Sequence, residues 1–326
     1  MKATAQAPAN IAFIKYWGKA DEDLRIPLND SFSMNLTGAH TVTTVEFVEG
    51  LENDDVTLLS GSFSEKERAR VIRGLDRIRE RAGISTKAKV VTRNSFPKGA
   101  GSAASASGFA ALTVAAFRAA QTVLTEKELT IVARLGSGSA CRSIPDGFVL
   151  WEKGTDSESS FARSVYPSTY WDLSDLLVIV DRRMKKVPTS EGMESVSTSP
   201  KLPARLAAVP RRLTALLDAF ERKDIVLLGR IIEEDCLDMH EVMQTQVPPL
   251  RYWNEGTRQL MDAIVQWRRG GLPVYFTIDA GPNVHCICEA THEKIVRRRI
   301  EELGVAEEII ENHAAAGTRL IDEHLF

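Results

Sequence analysis

The segment Phe96-Pro97-Lys98-Gly99-Ala100-Gly101-Ser102-Ala103-Ala104-Ser105-Ala106-Ser107-Gly108 combines small side chains with hydroxyls. Small residues let backbone N–H groups come close to a polyphosphate, and the start of a following helix adds partial positive charge. Ser102, Ser105 and Ser107 offer hydroxyls to phosphate oxygens or to a magnesium ion. The segment is not a Walker A loop, because the G-K-[ST] ending is missing, and it is not G-x-G-x-x-G. A helix of small residues packed tightly on a sheet has the same composition, so composition alone leaves both readings open.

Two further segments carry chemistry-bearing types. In Gly136-Ser137-Gly138-Ser139-Ala140-Cys141-Arg142-Ser143, closely spaced hydroxyls and a guanidinium suit an anion or a carboxylate. A flexible linker with an incidental arginine reads the same in isolation. In Asn10-Ile11-Ala12-Phe13-Ile14-Lys15-Tyr16-Trp17-Gly18-Lys19, two lysines stand four apart beside aromatic rings. Alone, such lysines read as surface charges.

The elements that position these segments are legible in outline. Ala3–Phe13 and the β-branched Thr41–Val48 read as strands. Ser64 with Glu67 forms a capping box that opens a helix through Arg81, stopped at Ala82-Gly83. Lys87–Thr92 reads as a strand that feeds the small-residue segment, and Gly101–Ala120 as a helix. A second capping box, Thr125 with Glu128, starts a helix that ends near Gly136. Phe148–Trp151 and Leu176–Val180 are short apolar strands. Residues 182–200 lack periodicity and read as a mobile loop. Amphipathic helices follow at Leu202–Glu221, Ile225–Met243 and Asn254–Arg269. Strand Val274–Asp279, turn Gly281-Pro282-Asn283, strand His285–Glu289 and helix His292–Leu303 complete the pattern. A division between two lobes is expected near residue 180, giving lobes 1–180 and 181–326. No repeats or low-complexity tracts are present.

At 326 residues the chain exceeds one minimal core and suits one large or two fused α/β lobes. A net charge of −3 argues against a nucleic-acid partner. The basic stretches Arg182–Lys186 and Arg297–Arg299 are short, and the second reads as the solvated face of a helix. No apolar run is long enough to span a bilayer, and the N-terminus lacks the apolar region of a signal peptide. Four cysteines (Cys141, Cys236, Cys286, Cys288) are too few for a disulfide framework and point to a reducing cytoplasm. Cys286 and Cys288 alternate along one strand and read as buried apolar thiols rather than as a metal site.

Taken together the strings resemble the GHMP kinase superfamily, and within it the mevalonate diphosphate decarboxylase branch. The resemblance rests on Ala7-Pro8-Ala9-Asn10-Ile11-Ala12 with Ile14-Lys15-Tyr16-Trp17-Gly18-Lys19, on Phe96-Pro97 to Gly108-Phe109-Ala110-Ala111, on Gly136–Ser143, and on Phe276-Thr277-Ile278-Asp279-Ala280-Gly281-Pro282-Asn283. Their order and spacing match over essentially the whole chain. The resemblance implies a mixed α/β (α+β) GHMP-kinase fold. Its N-terminal, ATP-binding lobe would be similar to ribosomal protein S5 domain 2, and its C-terminal, substrate lobe ferredoxin-like. The implied reaction uses ATP to phosphorylate the tertiary 3-hydroxyl of a 5-phosphorylated mevalonate, then expels phosphate and CO₂ to leave an alkene.

The same resemblance implies roles. Asp279 would orient or deprotonate the hydroxyl, and Lys15 would hold Asp279 ionised. Arg142 would grip the substrate carboxylate, helped by Ser139, Ser137 and Asn10. Tyr16, Lys19, Lys185, Lys186, Thr189 and Ser190 would complete the substrate site. Asn94, Lys98, Gly99, Ala100, Gly101, Ser102, Ala103 and Ser105 would hold the nucleotide, with Ser105 on Mg²⁺.

Three departures from the usual pattern bear on the phosphate tail. Asn29-Asp30-Ser31 stands where the branch has N-S-S; Pro188-Thr189-Ser190-Glu191-Gly192-Met193 stands where serines precede G-M; and Glu241–Val247 replaces a cysteine-containing stretch after His240. Fewer donors and added negative charge favour mevalonate 5-phosphate as substrate and isopentenyl phosphate as product, with the 5-diphosphate as the alternative. A kinase that stops at the phosphorylated intermediate, and a non-catalytic anion-binding protein, are the competing classes. A small-molecule substrate, no membrane partner and a homodimer are expected, the last from the long amphipathic helices.

Overall fold

The structure is a computed structural model that describes residues 1–96, 103–183 and 187–326. Of the expected site residues, Lys98, Gly99, Ala100, Gly101, Ser102, Lys185 and Lys186 lie outside the described residues. In chain order the strands and helices are β1 (Lys2–Ile14), β2 (Lys19–Asp21), β3 (Ile26–Pro27), β4 (Ser31–Phe47), β5 (Asp55–Leu58), α1 (Glu65–Ala82), β6 (Ala88–Asn94), α2 (Ala103–Ala119) and α3 (Glu126–Gly136). Then come β7 (Phe148–Trp151), β8 (Ala162–Tyr166), β9 (Leu173–Ile179), α4 (Thr189–Gly192), α5 (Leu202–Arg222), α6 (Ile225–Thr245) and α7 (Glu255–Arg269). The chain closes with β10 (Tyr275–Thr277), β11 (Val284–Glu289), α8 (Glu293–Leu303), β12 (Glu308–His313) and β13 (Arg319–Ile321).

Two sheets organise the molecule. The first runs β13-β1-β4-β6-β5, with β7 on the other half of β4 and β8 beyond it. All its pairings are antiparallel except β5 with β6. The second runs β10-β11-β9-β12 and is antiparallel throughout. β1 is buried along nearly its whole length. Its small residues Ala3, Ala5 and Ala7 share a core with Ala110, Ala111 and Ala115 of α2, and alanine on alanine brings that helix close to the sheet. Its C-terminal half, with Ile11 and Phe13, enters a different core that spans both lobes.

Phe220 of α5 is the hub of that shared core. Its ring lies 5.1 Å from Phe32, 4.9 Å from Phe148, 5.3 Å from Trp171 and 5.4 Å from Tyr166. Such ring pairs are worth about 0.5–1.5 kcal/mol each beyond area burial. The lobes are therefore welded by apolar packing, and a site between them inherits a rigid frame.

Local signals are realised closely. Ser64 and Glu67, and Thr125 and Glu128, form reciprocal capping boxes, and Gly83 closes α1 at φ 66°. Cys286 and Cys288 are both buried in the core of the second sheet, and Arg297–Arg299 are solvent-facing and paired with glutamates. Other expectations change. The strand expected over 274–279 ends at Thr277, which leaves Asp279 in the turn that follows. The segment 182–200 contains the helical turn α4 and a 3-10 turn at Val196–Thr198, anchored by buried Met193 and Val196. The expected division near residue 180 falls just after β9, a strand paired with β11 and β12. We propose dividing the lobes ahead of Leu173, with β13 returning to the first sheet. The apolar stripe of α5 faces inward, with Val209, Leu216 and Phe220 in the shared core, so amphipathicity there needs no second chain.

Candidate active site

Lys15 follows β1 directly, and Asp279 follows β10 by two residues. Separated by 264 positions, they meet as an ion pair: Lys15 Nζ donates to Asp279 Oδ1 at 2.7 Å. The lysine side chain is 1% exposed and the aspartate 22%, so the pair faces a cavity from one side and protein from the other. Burial pushes the Asp279 carboxyl up. Lys15, His285 and Arg142 together outweigh it, and the carboxyl titrates at about 2. Asp279 is therefore held as a carboxylate across the neutral range.

Arg142 lies on the 3-10 helix Gly138–Ser143 that follows α3. Its Nε and Nη2 donate to Asn10 Oδ1 at 3.2 and 3.0 Å, and Nη1 donates to Ser31 Oγ at 2.8 Å. Ser31 Oγ in turn donates to the Ile14 carbonyl at 2.7 Å, one residue before Lys15. Among the described residues no carboxylate forms an ion pair with Arg142, although burial pulls its guanidinium below the usual value. A buried guanidinium fixed by neutral oxygens is poised for an incoming anion.

Both groups open on one cavity of about 900 Å³. Tyr16, Lys19, Asn94, Ser105, Ser137, Ser139, Thr189 and Ser190 line it with them. Ser105 Oγ and Ser137 Oγ stand 3.2 Å apart where α2 begins. Tyr16 packs edge-on to Trp151 at 4.7 Å, and a Cβ on Gly138 would meet the Tyr16 ring at 2.8 Å. Glycine at 138 is thus what lets the ring approach the turn. Lys19 is paired with Glu22. Ala103 opens α2. Asn10, expected to touch substrate, does not line the cavity. It is 4% exposed, and its Nδ2 donates to Ser143 Oγ at 2.8 Å and the Ser139 carbonyl at 3.2 Å, so it braces Arg142 instead.

Four cations line the cavity that sequence reasoning missed: Arg25, Lys66, Arg70 and Arg73. Arg70 and Arg73 sit three apart on α1, a helical spacing that signals a shared face. Arg70 Nε donates to the Gly136 carbonyl at 2.8 Å, while Arg25 Nε and Arg77 Nη1 donate to that of Leu135 at 2.9 and 2.6 Å. They satisfy the last carbonyls of α3. The described wall carries seven Lys or Arg against four Asp or Glu, a balance suited to a polyanion.

The departures noted in the sequence divide cleanly. Asp30 Oδ1 accepts from the Lys153 N–H at 2.7 Å and does not line the cavity. Glu241 pairs with Lys201 at 2.7 Å on the surface. Gln246 is buried, donating to the Gly192 carbonyl at 2.7 Å and accepting from Trp17 Nε1 at 3.2 Å. Only the second departure stands in the wall, with Pro188, Thr189, Ser190, Glu191 and Met193 all lining the cavity. Two of the three arguments for a shorter phosphate tail thus lose their basis, because the altered side chains face elsewhere.

Residues 7–162 match the diphosphomevalonate decarboxylase-like N-terminal domain, and residues 176–320 match the mevalonate 5-diphosphate decarboxylase C-terminal domain. The chain belongs to the diphosphomevalonate decarboxylase family. The diphosphomevalonate decarboxylase of Candida albicans is 34% identical over 93% of this chain and 88% of its own. That of Danio rerio is 36% identical over 86% of this chain and 74% of its own. Among solved structures, the mevalonate diphosphate decarboxylase of Staphylococcus aureus superposes with a TM-score of 0.94 at 36% identity, covering 98% of each chain. A structure of MDDEF in complex with MVAPP, AMPPCP and magnesium gives 0.93 at 37% identity, covering 99% of each chain. The family's fold is the mixed α/β GHMP-kinase fold expected from the sequence.

Proposed function

We propose that this family member uses ATP to decarboxylate mevalonate 5-diphosphate, yielding isopentenyl diphosphate, ADP, phosphate and CO₂. The observation that carries the reading is the Lys15–Asp279 pair on the wall of a basic cavity that Arg142, an arginine without a carboxylate ion-pair partner among the described residues, also lines. In this reading the substrate's C1 carboxylate enters the fork of Arg142, and Ser139 and Ser137 accept or donate beside it. The tertiary 3-hydroxyl then donates to Asp279. ATP phosphates lie at the start of α2, near Ser105.

The residues fit a magnesium nucleotide. The Ser105–Ser137 hydroxyl pair offers oxygen donors beside a cation-rich wall. Among the described residues no cluster of three His, Cys, Asp or Glu stands ready to hold a metal, and Mg²⁺ asks for few protein ligands, since phosphate and water oxygens fill most of its shell. When bound it supplies neutralisation of charge on the β- and γ-phosphate oxygens.

The chemistry runs in two steps. The 3-hydroxyl oxygen takes the γ-phosphoryl group, and its proton passes toward Asp279. The C3–O bond then breaks to release phosphate, while the C1–C2 electrons become the C2–C3 double bond and CO₂ departs. Lys15 balances the negative charge gathering near Asp279. A carboxylate titrating at about 2 is a weak proton acceptor at neutral pH, so orientation of the hydroxyl is its larger contribution. Phosphoryl transfer through a loose transition state needs little activation of the nucleophile.

Family membership and the removal of two tail arguments favour the diphosphate. Mevalonate 5-phosphate is the second reading, favoured by Pro188 and Glu191 in the cavity wall. The buried, free cysteines accord with the cytoplasm as its compartment, and no helix among the described residues is long and apolar enough to cross a membrane. Turnover of the two substrates, with ADP, CO₂ and alkene measured together, tests the proposal. Equal yields of the three with a preference for the diphosphate are expected. A preference for the monophosphate would replace the tail assignment, and ADP without CO₂ would make the protein a kinase.

A further inference from the structure

Helix α6 holds the backbone of Lys15 and of Ile278, the residue before Asp279. On the lysine side, the Lys15 N–H donates to Asp235 Oδ2 at 2.7 Å. The Lys15 carbonyl accepts from Arg205 Nη2 at 3.2 Å and from Asn29 Nδ2 at 3.0 Å. On the aspartate side, the Ile278 N–H donates to Cys236 Sγ at 3.2 Å, and His240 Nε2 lies 3.3 Å from the Ile278 carbonyl. Burial pulls His240 down to about 3, so its ring is neutral and suited to donate there. Asp235, Cys236 and His240 lie within two turns of one helix and touch the residue next to Asp279 and Lys15 itself.

Asp235 is itself over-determined. Its side chain and that of Arg205 are 0% exposed, and they pair at 3.1 Å. Arg205 Nη1 also donates to Asp235 Oδ1 at 3.2 Å, and Arg212 Nη1 reaches the same oxygen at 3.5 Å. A carboxylate buried this deeply is costly unless every oxygen is engaged. A fold that needed only stability at this place is served as well by an apolar pair. What an apolar pair lacks is an acceptor for the Lys15 N–H.

We propose that Asp235 is a positioning residue for the reaction: its carboxylate fixes the Lys15 backbone so that the ammonium meets Asp279. The inference rests on the reading of Lys15 and Asp279 as the reacting centre. Arg205 acts through it, holding the carboxylate in place with both of its terminal nitrogens.

Two double variants separate positioning from stability. Asp235→Leu with Arg205→Met removes both charges and the acceptor. Asp235→Asn with Arg205→Met removes both charges but keeps an oxygen for the Lys15 N–H. The Leu pair is expected to lose between about 10- and 100-fold in kcat, with the KM for ATP unchanged, and to move the acidic limb of kcat/KM to higher pH as Asp279 loses its ammonium. The Asn pair should stay within about threefold of wild type on both measures. Should the Leu pair not fold, Asp235→Val with Arg205→Met provides the same comparison with less crowding. Equal kcat and equal pH limbs for the folded acceptor-free and Asn variants would overturn the inference. Wild-type protein that releases no CO₂ from mevalonate 5-diphosphate would instead overturn the functional reading beneath it.

Discussion

Replacing Lys15 by methionine isolates the electrostatics of the site. Methionine keeps the length of the chain and removes the ammonium that lies 2.7 Å from Asp279. The Asp279 carboxyl stands at about 2 against an ordinary 3.8, which corresponds to roughly 2 kcal/mol in favour of the ionised form. Burial acts in the opposite sense, and Lys15 is the largest influence that opposes it. Without Lys15, burial dominates and the carboxyl rises. The sign follows directly: a raised value means less carboxylate at any given pH. Wild-type kcat/KM should therefore show no loss from Asp279 above about pH 4, whereas Lys15→Met acquires an acidic limb and recovers as pH increases. Loss of about 2 kcal/mol of carboxylate stabilisation lifts the carboxyl by at least about 1.5 pH units, so the variant falls progressively below wild type as pH drops and the gap narrows toward neutral pH. The assay is CO₂ and ADP release from about pH 4 to about pH 9, with folding checked by circular dichroism at each point. A folded Lys15→Met protein with the wild-type pH profile would refute the reasoning, because Asp279 would then owe its charge to something else.

Arg142→Lys keeps a cation but loses the planar fork braced by Asn10 and Ser31, so kcat/KM should fall by about 30- to 100-fold, mostly through the substrate KM; steady-state kinetics with ATP saturating checks this. Gly138→Ala brings a methyl to 2.8 Å from the Tyr16 ring, which must swing into the cavity, so substrate KM should rise by about 10-fold or more while the unfolding midpoint moves little. Asp279→Asn removes a group whose value is lower folded than unfolded. Its stabilising contribution is present above about pH 4 and lost as pH falls to about 2, so the pH dependence of urea unfolding between wild type and variant should differ by about 2 kcal/mol over that window.

What the sequence disclosed about the fold followed from how local each signal is. The capping boxes at Ser64–Glu67 and Thr125–Glu128 need only four residues, and both formed as read. The small residues of α2 satisfied both readings left open for them. Ala110, Ala111 and Ala115 pack on the sheet, while Ser105 opens on the cavity. Pairings that join distant segments were illegible. β12 carries Glu308 and Glu311 and reads as polar, yet it completes the second sheet against β9. β13 crosses back to β1 across more than 300 positions. Nothing within either strand names its partner.

The site divides along the same line. Lys15, Arg142 and Asp279 were identifiable as strings, and the fold brought them to one cavity; their supports were not identifiable, because Asp235 and Arg205 carry no motif and act on a backbone 220 and 190 positions away. The phosphate tail shows the converse error. Asp30 and Glu241 differ from the usual pattern beside residues that matter, and adjacency in sequence suggested adjacency in the pocket. Side-chain direction decides otherwise: neighbours along a strand face opposite ways, and Asp30, next to Ser31, turns to the Lys153 N–H while Ser31 holds Arg142. Substrate choice in this protein therefore turns on the altered stretch that stands in the wall, Pro188 and Glu191 above all. Glu191 also decides its sign: a carboxylate there repels a second phosphate unless one of the wall's cations covers it.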